Sequence, residues 1–275
     1  MKFSSAILSA ALLAGSAVAA PGTVRRRAQA EARRQKRALE RHSNPRFAVN
    51  TTMPAVQVYG PELIKQVEYS TNWAGVVLIG SGYTAVTGEI TVPTPTKPSG
   101  GSSSTEYCAS AWVGIDGDTC DTAILQTGVD FCVQGSSVSY DGWYEWYPDY
   151  AYDFSGITFS AGDVVKMTVT ATSKSAGSAV LENVTTGKTV THTFSGESNT
   201  LCETNAEWIV EDFSENNSLV PFADFGTVTF TDAYATTSSG TVGVSGGSIL
   251  DIKQNGQVLT SVSTSGSEEV IIEYV

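Results

Sequence analysis

The chain has 275 residues, with 16 Lys and Arg against 28 Asp and Glu, so its formal net charge is −12. The charge is unevenly divided: residues 1–67 carry eleven basic and three acidic side chains, whereas residues 68–275 carry five lysines, no arginine and 25 carboxylates. A domain this acidic is repelled by phosphate backbones, which excludes nucleic acid as a partner. Disorder is excluded as well, because 41% of the residues are hydrophobic.

Residues 1–20 have the features of a secretory signal peptide. Lys2 precedes an apolar run from Ala6 to Ala14, and the small residues Ala17-Val18-Ala19 suit cleavage near residue 19 or 20. The apolar run is shorter than the roughly 20 residues that cross a bilayer, and no other stretch approaches that length. We therefore expect a secreted, extracellular protein without a membrane segment.

Residues 21–67 are predicted to be a basic propeptide. The stretch from Arg25 to His42 is dense in Arg, Ala, Gln and Glu, which favours a helix and an acidic partner. A nucleic-acid arm and a solvated tail are the alternatives, but an acidic domain is attached directly downstream. Three prolines favour a linker over Asn44–Val67. Composition changes abruptly near Glu68, so we expect the mature domain at 68–275.

The mature region is predicted to be all-β. Val, Ile, Thr and aromatic residues dominate short runs that Gly, Ser, Asn, Asp and Pro separate, and no long stretch has helical periodicity. The predicted strands are Trp73–Ile79, Tyr83–Val92, Ala109–Ile115, Thr122–Val133, Val138–Tyr147, Val164–Thr172, Gly226–Thr231 and Glu268–Val275. This many strands without an internal repeat favours one domain, either a sandwich or a barrel.

Four cysteines lie in the mature region, at Cys108, Cys120, Cys132 and Cys202. An even count in a secreted chain predicts two disulfides, and the sequence allows three pairings. Zinc ligation is the competing interpretation. The spacing lacks any Cys-x-x-Cys pair and the region has a single histidine, so we expect no metal site.

Three places on the surface are candidates for processing. The low-complexity stretch from Lys97 to Thr105 is typical of a flexible exposed loop, which is a preferred site of proteolytic nicking. The sequons Asn183-Val184-Thr185 and Asn216-Asn217-Ser218 permit glycosylation.

Most hydrolytic chemistries can be excluded from residue types. The single histidine of the mature region, His192, lies in a strand-like run, and no Gly-x-Ser-x-Gly elbow accompanies it. No cysteine is expected to remain free as a nucleophile, and neither an Asp-Thr-Gly nor an Asp-Ser-Gly triplet occurs. A phosphate-binding glycine loop is also missing from the sequence. The chemistry must therefore rest on carboxylates and carboxamides in another arrangement.

Polar and aromatic side chains are concentrated within three apolar runs. These runs are Ala111–Gly128, Tyr140–Pro148 and Thr204–Asp212. Strand alternation places Asp141, Trp143 and Glu145 on one face, and it likewise places Glu207 and Glu211 on one face. Carboxylates among aromatic rings indicate either a binding groove with shifted pKa values or a solvated sheet face above packed aromatics. The pattern does not separate cleavage of a sugar from cleavage of a peptide.

The same runs resemble the glutamic peptidases of fungi, the eqolisins. The motifs that carry the resemblance are Trp112-Val113-Gly114-Ile115-Asp116-Gly117, Ile124-Leu125-Gln126-Thr127-Gly128, Trp143-Tyr144-Glu145-Trp146-Tyr147-Pro148 and Asn205-Ala206-Glu207-Trp208-Ile209-Val210-Glu211. The resemblance extends from Tyr69 to the last strand, and it includes the order of signal, basic prosegment and acidic domain. It implies a sandwich of two packed antiparallel sheets, a concanavalin- or glucanase-like jelly roll, whose concave face holds the site.

The resemblance also implies roles for individual residues. Gln126 stands at the family's catalytic glutamine and Glu207 at its catalytic glutamate. Positions that support the site or contact substrate in the family match Trp112, Asp116, Asp130, Asp141, Trp143, Glu145 and Glu211. The implied disulfides are Cys108–Cys132 and Cys120–Cys202. Some members lose a loop that corresponds to residues 97–107, which implies a monomer or a nicked two-chain form.

The implied activity is that of a secreted acid endopeptidase, made as a zymogen that its own propeptide inhibits. Glu207 is expected to take a proton from the attacking water and later return it to the leaving amine. Gln126 is expected to orient the water and stabilise the oxyanion, and no cofactor is required. Two other functions are considered: a glucanase-like glycosidase that uses Glu145 and Glu207, and a lectin-like glycan-binding module.

Overall fold

A computed structural model describes residues 41–49 and 67–275, which form strands and turns. The first ten strands are β1 (Arg41–His42), β2 (Val67–Ser70), β3 (Trp73–Ile79), β4 (Tyr83–Thr91), β5 (Glu106–Ile115), β6 (Ile124–Gln134), β7 (Ser137–Tyr147), β8 (Tyr152–Asp153), β9 (Val164–Ser173) and β10 (Ala176–Asn183). The others are β11 (Lys188–Ser195), β12 (Asn205–Glu211), β13 (Ser214–Glu215), β14 (Ser218–Leu219), β15 (Thr227–Thr237), β16 (Gly240–Gly243), β17 (Ser248–Gln254), β18 (Gln257–Val258), β19 (Thr260–Ser265) and β20 (Glu269–Tyr274). No helix in this part of the chain is long and apolar enough to cross a membrane.

Two large sheets account for most of these strands. The first has the order β18-β17-β3-β12-β5-β6-β7-β8, with β2 added parallel to β17. The second has the order β11-β10-β9-β4-β15-β20-β19, with β16 added to β15. All pairings except β2–β17 are antiparallel, so the predicted sandwich of antiparallel sheets is confirmed.

The main core lies between the two sheets, and burial follows strand alternation. In β9 every second residue is buried, beginning with Val165 and Met167, because that strand is solvated on its outer face. By contrast, all seven residues of β12 and almost all of β5 and β6 are buried. Strands buried on both faces need a second apolar layer outside the core.

That second layer lies on the outer face of the first sheet. It consists of Trp73, Val77, Trp112, Ile124, Trp143, Ala151, Ile209 and Leu250, with Tyr147 packed against it. These residues alternate along their strands with members of the main core, such as Trp208 beside Ile209. We refer to this face as the groove face.

The basic segment differs from its prediction where it is described. Arg41 and His42 form β1, which pairs with β13, so the predicted helix does not extend to these two residues. Residues 43–49 follow the surface of the domain, and Val49 donates a backbone hydrogen bond to Tyr69. The predicted signal peptide, residues 21–40 and residues 50–66 lie outside the described part of the chain.

Both disulfides join the cysteines that the family resemblance implies. Cys108–Cys132 links the neighbouring strands β5 and β6, and Cys120–Cys202 links the loop after β5 to the loop before β12. Described cysteines include no free thiol.

The two sequons have different environments. Asn216 lies in an exposed turn and remains a predicted glycosylation site. Asn183 is fully buried, and its Nδ2 donates hydrogen bonds to Thr158 O and Asp163 Oδ2. A glycan on Nδ2 would replace one of the two donating hydrogens and would need space that this buried side chain lacks, so the structure argues against glycosylation at Asn183. The stretch Lys97–Thr105 forms two mostly exposed turns, and its excision remains a prediction.

Candidate active site

Gln126 and Glu207 lie in one row across the first sheet. On β12, Glu207 pairs with Gly114 on β5, and Gly114 pairs with Gln126 on β6. The row continues to Glu145 on β7, which pairs with Gln126. Directly paired residues point to the same face of a sheet, so all of these side chains lie on the groove face.

Gly114 lies between the two candidate catalytic residues in this row. A Cβ at this position would lie 2.8 Å from Cζ3 of Trp112 and 3.4 Å from Cβ of Gln126. Because the glycine has no side chain, no side chain from β5 stands between Gln126 and Glu207, and the ring of Trp112 can approach the backbone closely.

The polar atoms of this pair are buried without partners. Gln126 and Glu207 are 0% exposed. Within the described chain, Gln126 Oε1 and Nε2 and both carboxylate oxygens of Glu207 have no hydrogen-bond partner. Burial, with added repulsion from Asp116 and Asp118, raises the pKa of Glu207 well above its usual range. Groups left unpaired in this way are typical of sites that await a ligand.

Asp116 supports the strand that carries Glu207. It follows β5 with a φ of 72°, and its carboxylate accepts backbone hydrogen bonds from Cys202, Glu203, Thr204 and Asn205. These four residues are the segment that leads into β12. The buried carboxylate therefore holds the start of that strand and places a negative charge near Glu207.

Two tryptophans form the floor of the groove one row further along. Trp112 donates from Nε1 to Glu211 Oε2 at 2.9 Å, and Trp143 donates from Nε1 to Ser110 Oγ at 3.1 Å. Burial raises the pKa of Glu211 to about 7, against the lowering effect of nearby Arg41. The predicted supporting residues Trp112, Trp143 and Glu211 are thus together on the groove face.

The next row adds three carboxylates, Glu211, Asp130 and Asp141, to the groove face. Together with Glu145 we call them the acidic wall. Glu211 pairs with Ser110, Ser110 with Asp130, and Asp130 with Asp141. Burial raises the pKa of Glu145, although Arg41 and backbone contacts oppose the shift. All the supporting positions that the sequence predicts therefore converge on one face, with Asp116 at its edge.

Arg41 of the basic segment fills the acidic end of the groove. Its guanidinium bonds both oxygens of Asp130, at 2.7 and 2.9 Å, and lies 3.6 Å from Glu145. It also lies 3.9 Å from the ring centroid of Trp143 and 4.5 Å from that of Phe213. Arg41 is only 1% exposed, so this cation is enclosed by carboxylates and aromatic rings.

The backbone that follows Arg41 continues along the groove. The N–H of Ser43 donates to Glu145 Oε2, and the N–H of Asn44 donates to Glu211 Oε1, each at 3.1 Å. Trp73 donates from Nε1 to the carbonyl oxygen of Asn44 at 3.0 Å. The basic segment therefore occupies the groove through main-chain contacts as well as through charge.

Arg46 extends these contacts toward the part of the groove that holds Gln126 and Glu207. It forms ion pairs with Asp118 at 2.8 Å and with Glu68 at 2.6 Å. Asp118 is one of the two acidic residues that raise the pKa of Glu207. A cavity of about 400 Å³ lies next to Arg46, between it and Thr119.

Several residues of the groove were not predicted from the sequence. Ser110, Gly114 and Trp73 have no titratable group, and their roles depend on the register between strands that are distant in sequence. Gly114 lies inside the Trp112–Gly117 motif, and this motif is the sequence feature from which its role could have been predicted. His192 is on β11 of the other sheet, stacked on Tyr144 at 3.9 Å, which agrees with the exclusion of a histidine-based triad.

A cluster of metal-ligand residue types also has a structural explanation. Asp116, Cys120 and Cys202 lie close together, but both cysteines are joined in a disulfide. A disulfide offers no thiolate, and the Asp116 oxygens already accept backbone hydrogen bonds. The cluster is therefore not suited to hold a metal ion.

An all-β sandwich with Gln126 and Glu207 in one row is the arrangement that the resemblance to the glutamic peptidases implies. The Peptidase A4 family model matches residues 71–274. The chain is 58% identical to aspergillopepsin-2 of Aspergillus niger, with all of both sequences covered. It is 46% identical to scytalidopepsin B of Scytalidium lignicola over 97% of each sequence.

Solved structures give the same result. Scytalido-glutamic peptidase with a transition state analog inhibitor matches at a TM-score of 0.68 and 48% identity, covering 74% of this chain and 98% of that one. Aspergilloglutamic peptidase from Aspergillus niger matches at 0.60 and 66% identity, covering 62% and 99%. The chain belongs to the Peptidase A4 family of glutamic peptidases, the eqolisins.

Proposed function

We propose that this chain is the precursor of a secreted endopeptidase that hydrolyses peptide bonds at acid pH through Gln126 and Glu207. The observation that carries the proposal is the pair of buried side chains on either side of Gly114, whose four polar atoms have no partner among residues 41–49 and 67–275. The peptide-based transition state analog bound to scytalido-glutamic peptidase supports peptides as the substrate class.

In the proposed mechanism, water is the nucleophile. Glu207 as carboxylate takes a proton from the water, and then returns it to the leaving amine. Gln126 orients the water through its carbonyl oxygen and donates from Nε2 to the developing oxyanion. A carboxamide does not titrate, so this donor is present at any acid pH. No acyl-enzyme forms, and no cofactor is needed.

The raised pKa of Glu207 fits a resting precursor. Burial is the largest cause of the shift, so the pKa of Glu207 in the precursor is above the range that suits a base at acid pH. Removal of the basic segment would admit water to the groove and lower this pKa, which favours the carboxylate form that the mechanism needs.

The basic segment is proposed to inhibit the enzyme until secretion and acidification. Arg41, Ser43 and Asn44 occupy the acidic wall of the groove, where a substrate would lie. Acid lowers the total negative charge of the domain, which weakens its attraction for the basic segment. Its removal would then leave a mature enzyme that starts near Glu68.

A glycosidase that uses Glu145 and Glu207 is less consistent with the groove. These residues are three strands apart in one row, which places their Cα atoms roughly 14 Å apart from a strand spacing of about 4.8 Å. Retaining glycosidases hold their carboxyl groups about 5 Å apart, and inverting enzymes about 6.5–9.5 Å apart. Gln126 lies between the two glutamates, which favours its pairing with Glu207.

The dyad is tested with Gln126→Ala and Glu207→Gln. Each variant should lose at least about 10²-fold in the rate of cleavage of an unfolded protein at pH 3, because each removes one catalytic group. Matched controls are Gln257→Ala and Glu268→Gln, which change the same residue types at exposed positions. Near-normal cleavage by either folded dyad variant would contradict the mechanism.

A further inference from the structure

Asn205 has a donor that the proposed mechanism does not use. It is the first residue of β12, two residues before Glu207, so the two side chains share the groove face. Asn205 Oδ1 accepts hydrogen bonds from Thr119 N at 2.9 Å and from Thr119 Oγ1 at 3.0 Å. The backbone N–H of Thr119 can only donate, so these bonds establish which end of the carboxamide is oxygen.

The other end of the carboxamide is buried and unpaired. Asn205 is 0% exposed, and its Nδ2 has no hydrogen-bond partner anywhere in the described chain. The same property belongs to Gln126 and Glu207, in the row next to it. Buried N–H groups without a partner are rare in folded proteins, so this donor is arranged for a group that enters the groove.

The position of Asn205 determines which part of a substrate could reach it. Along β12 the groove face presents Asn205, Glu207, Ile209 and Glu211 in that order, and Arg41 occupies the Glu211 end. Asn205 is therefore on the opposite side of the dyad. Its partner on β3 is Ile79, which is 55% exposed, so the buried Asn205 lies beside the solvent-exposed end of β3.

We propose that Asn205 is a substrate-binding residue, whose Nδ2 donates a hydrogen bond to a main-chain carbonyl of the bound peptide. The carbonyl belongs to the part of the substrate on the side of the scissile bond away from the Arg41 site. Ile79 offers an apolar contact for the adjacent substrate side chain. The inference rests on the proposed peptidase function and adds a specific contact to it.

A purely structural role for Asn205 makes a different prediction. In that case the important atom is Oδ1, which holds the loop at Thr119 in place. Asn205→Asp keeps that acceptor and removes only the N–H donor, whereas Asn205→Ala removes both. The two variants therefore separate substrate binding from support of the loop, and thermal unfolding reports the latter.

We expect Asn205→Asp to raise KM about tenfold at the upper end of the active pH range, with kcat much less affected. As pH falls, the protonated carboxyl of this variant regains a donor, so KM should return toward the wild-type value. Substrates shortened on the side away from the Arg41 site should not distinguish wild type from Asn205→Asp. If Asn205→Asp instead acts by placing a negative charge near Glu207, its difference from wild type would persist with the shortened substrates.

The experiment measures kcat and KM from pH 2 to 5 with full-length and shortened peptides, on the enzyme matured from the full chain. An unchanged KM for Asn205→Asp, with loss of stability and activity only in Asn205→Ala, would overturn the proposal. Glu207→Gln is measured in parallel. If it stays active, the proposed peptidase mechanism fails; if it is inactive while Asn205→Asp behaves as wild type, only the Asn205 contact is refuted.

Discussion

Substitution of Arg41 by alanine in the basic segment should strongly weaken its inhibition of the mature enzyme. The guanidinium is buried, bonded to both oxygens of Asp130 and placed against the rings of Trp143 and Phe213. Alanine removes the cation and leaves its carboxylate partners facing an apolar gap. Inhibition should be lost because binding of the segment depends on this contact.

The size of the effect follows from the burial of the pair. Removal of one partner from a buried ion pair costs about 3–5 kcal/mol. Each 1.4 kcal/mol corresponds to about tenfold in a binding constant, so the inhibition constant should rise at least about 10²-fold. Arg41→Lys keeps the charge but loses the two-point contact with Asp130, and an intermediate effect is expected.

The assay compares peptides of residues 21–67 as inhibitors of the acid-matured enzyme. Phe47→Ala is the matched control, because Phe47 is 46% exposed and only its backbone donates to Asn72. The wild-type peptide should inhibit better at pH 6 than at pH 3, since acid lowers the total negative charge of the domain, and salt should weaken the inhibition.

Two results would refute this explanation of inhibition. One is an Arg41→Ala peptide that inhibits as well as the wild-type peptide. The other is equal inhibition by the wild-type peptide at pH 3 and pH 6 with no response to salt. Either would show that the contacts of Arg41 in the groove do not determine binding of the segment.

Two further predictions concern the pH dependence of stability and the glycine between the dyad residues. Burial raises the pKa of Glu211 from 4.5 to about 7. The contribution of this group to the free energy of unfolding is therefore fully present below pH 4.5 and is lost as pH rises through 7. The loss amounts to about 3 kcal/mol, or about 6–12 °C in Tm. Calorimetry of the precursor should show this fall in Tm, and the fall should be smaller in Glu211→Gln. A Tm that rises over this pH interval would contradict the prediction. Gly114→Ala should reduce kcat at least about tenfold, because the added Cβ meets Trp112 at 2.8 Å beside Gln126. Gly142→Ala, which is equally crowded on the core face, should lower Tm without a matching loss of kcat; equal loss of kcat in both variants would contradict a specific role for Gly114.

All eight strands predicted from local sequence patterns are present in the described part of the chain, and the patterns also gave the faces of their residues. Trp73–Ile79 has the predicted bounds, and β7 and β9 differ from their predictions by one residue at one end. Alternation correctly placed Asp141, Trp143 and Glu145 together on the groove face. These features depend on side-chain direction along a single strand, which has a period of two residues and needs no knowledge of the partner strand.

The dyad was predicted from family motifs rather than from periodicity. Composition and alternation left a solvated sheet face, a sugar site and a peptide site all possible. The motifs around Gln126 and Glu207 then separated these alternatives, and the structure brings both residues into one row. The strands β2, β10, β16, β17 and β19 were not predicted. The two-residue strands β1, β8, β13, β14 and β18 were missed as well, because runs of two residues have no period to detect.

By itself, the sequence determined the class of fold, the division into a basic leader and an acidic domain, and the residue types available for chemistry. Tertiary structure decided which of these residues meet. Strand β12 enters between β3 and β5, so Glu207 reaches Gln126 across Gly114 through pairings that no local pattern encodes. It also buried Asn183, left the Asn205 donor without a partner in the part of the chain that the structure describes, and enclosed Arg41 among carboxylates and rings. The physical reason is that register and burial arise from contacts between segments far apart in the chain, whereas composition and alternation are properties of each segment alone.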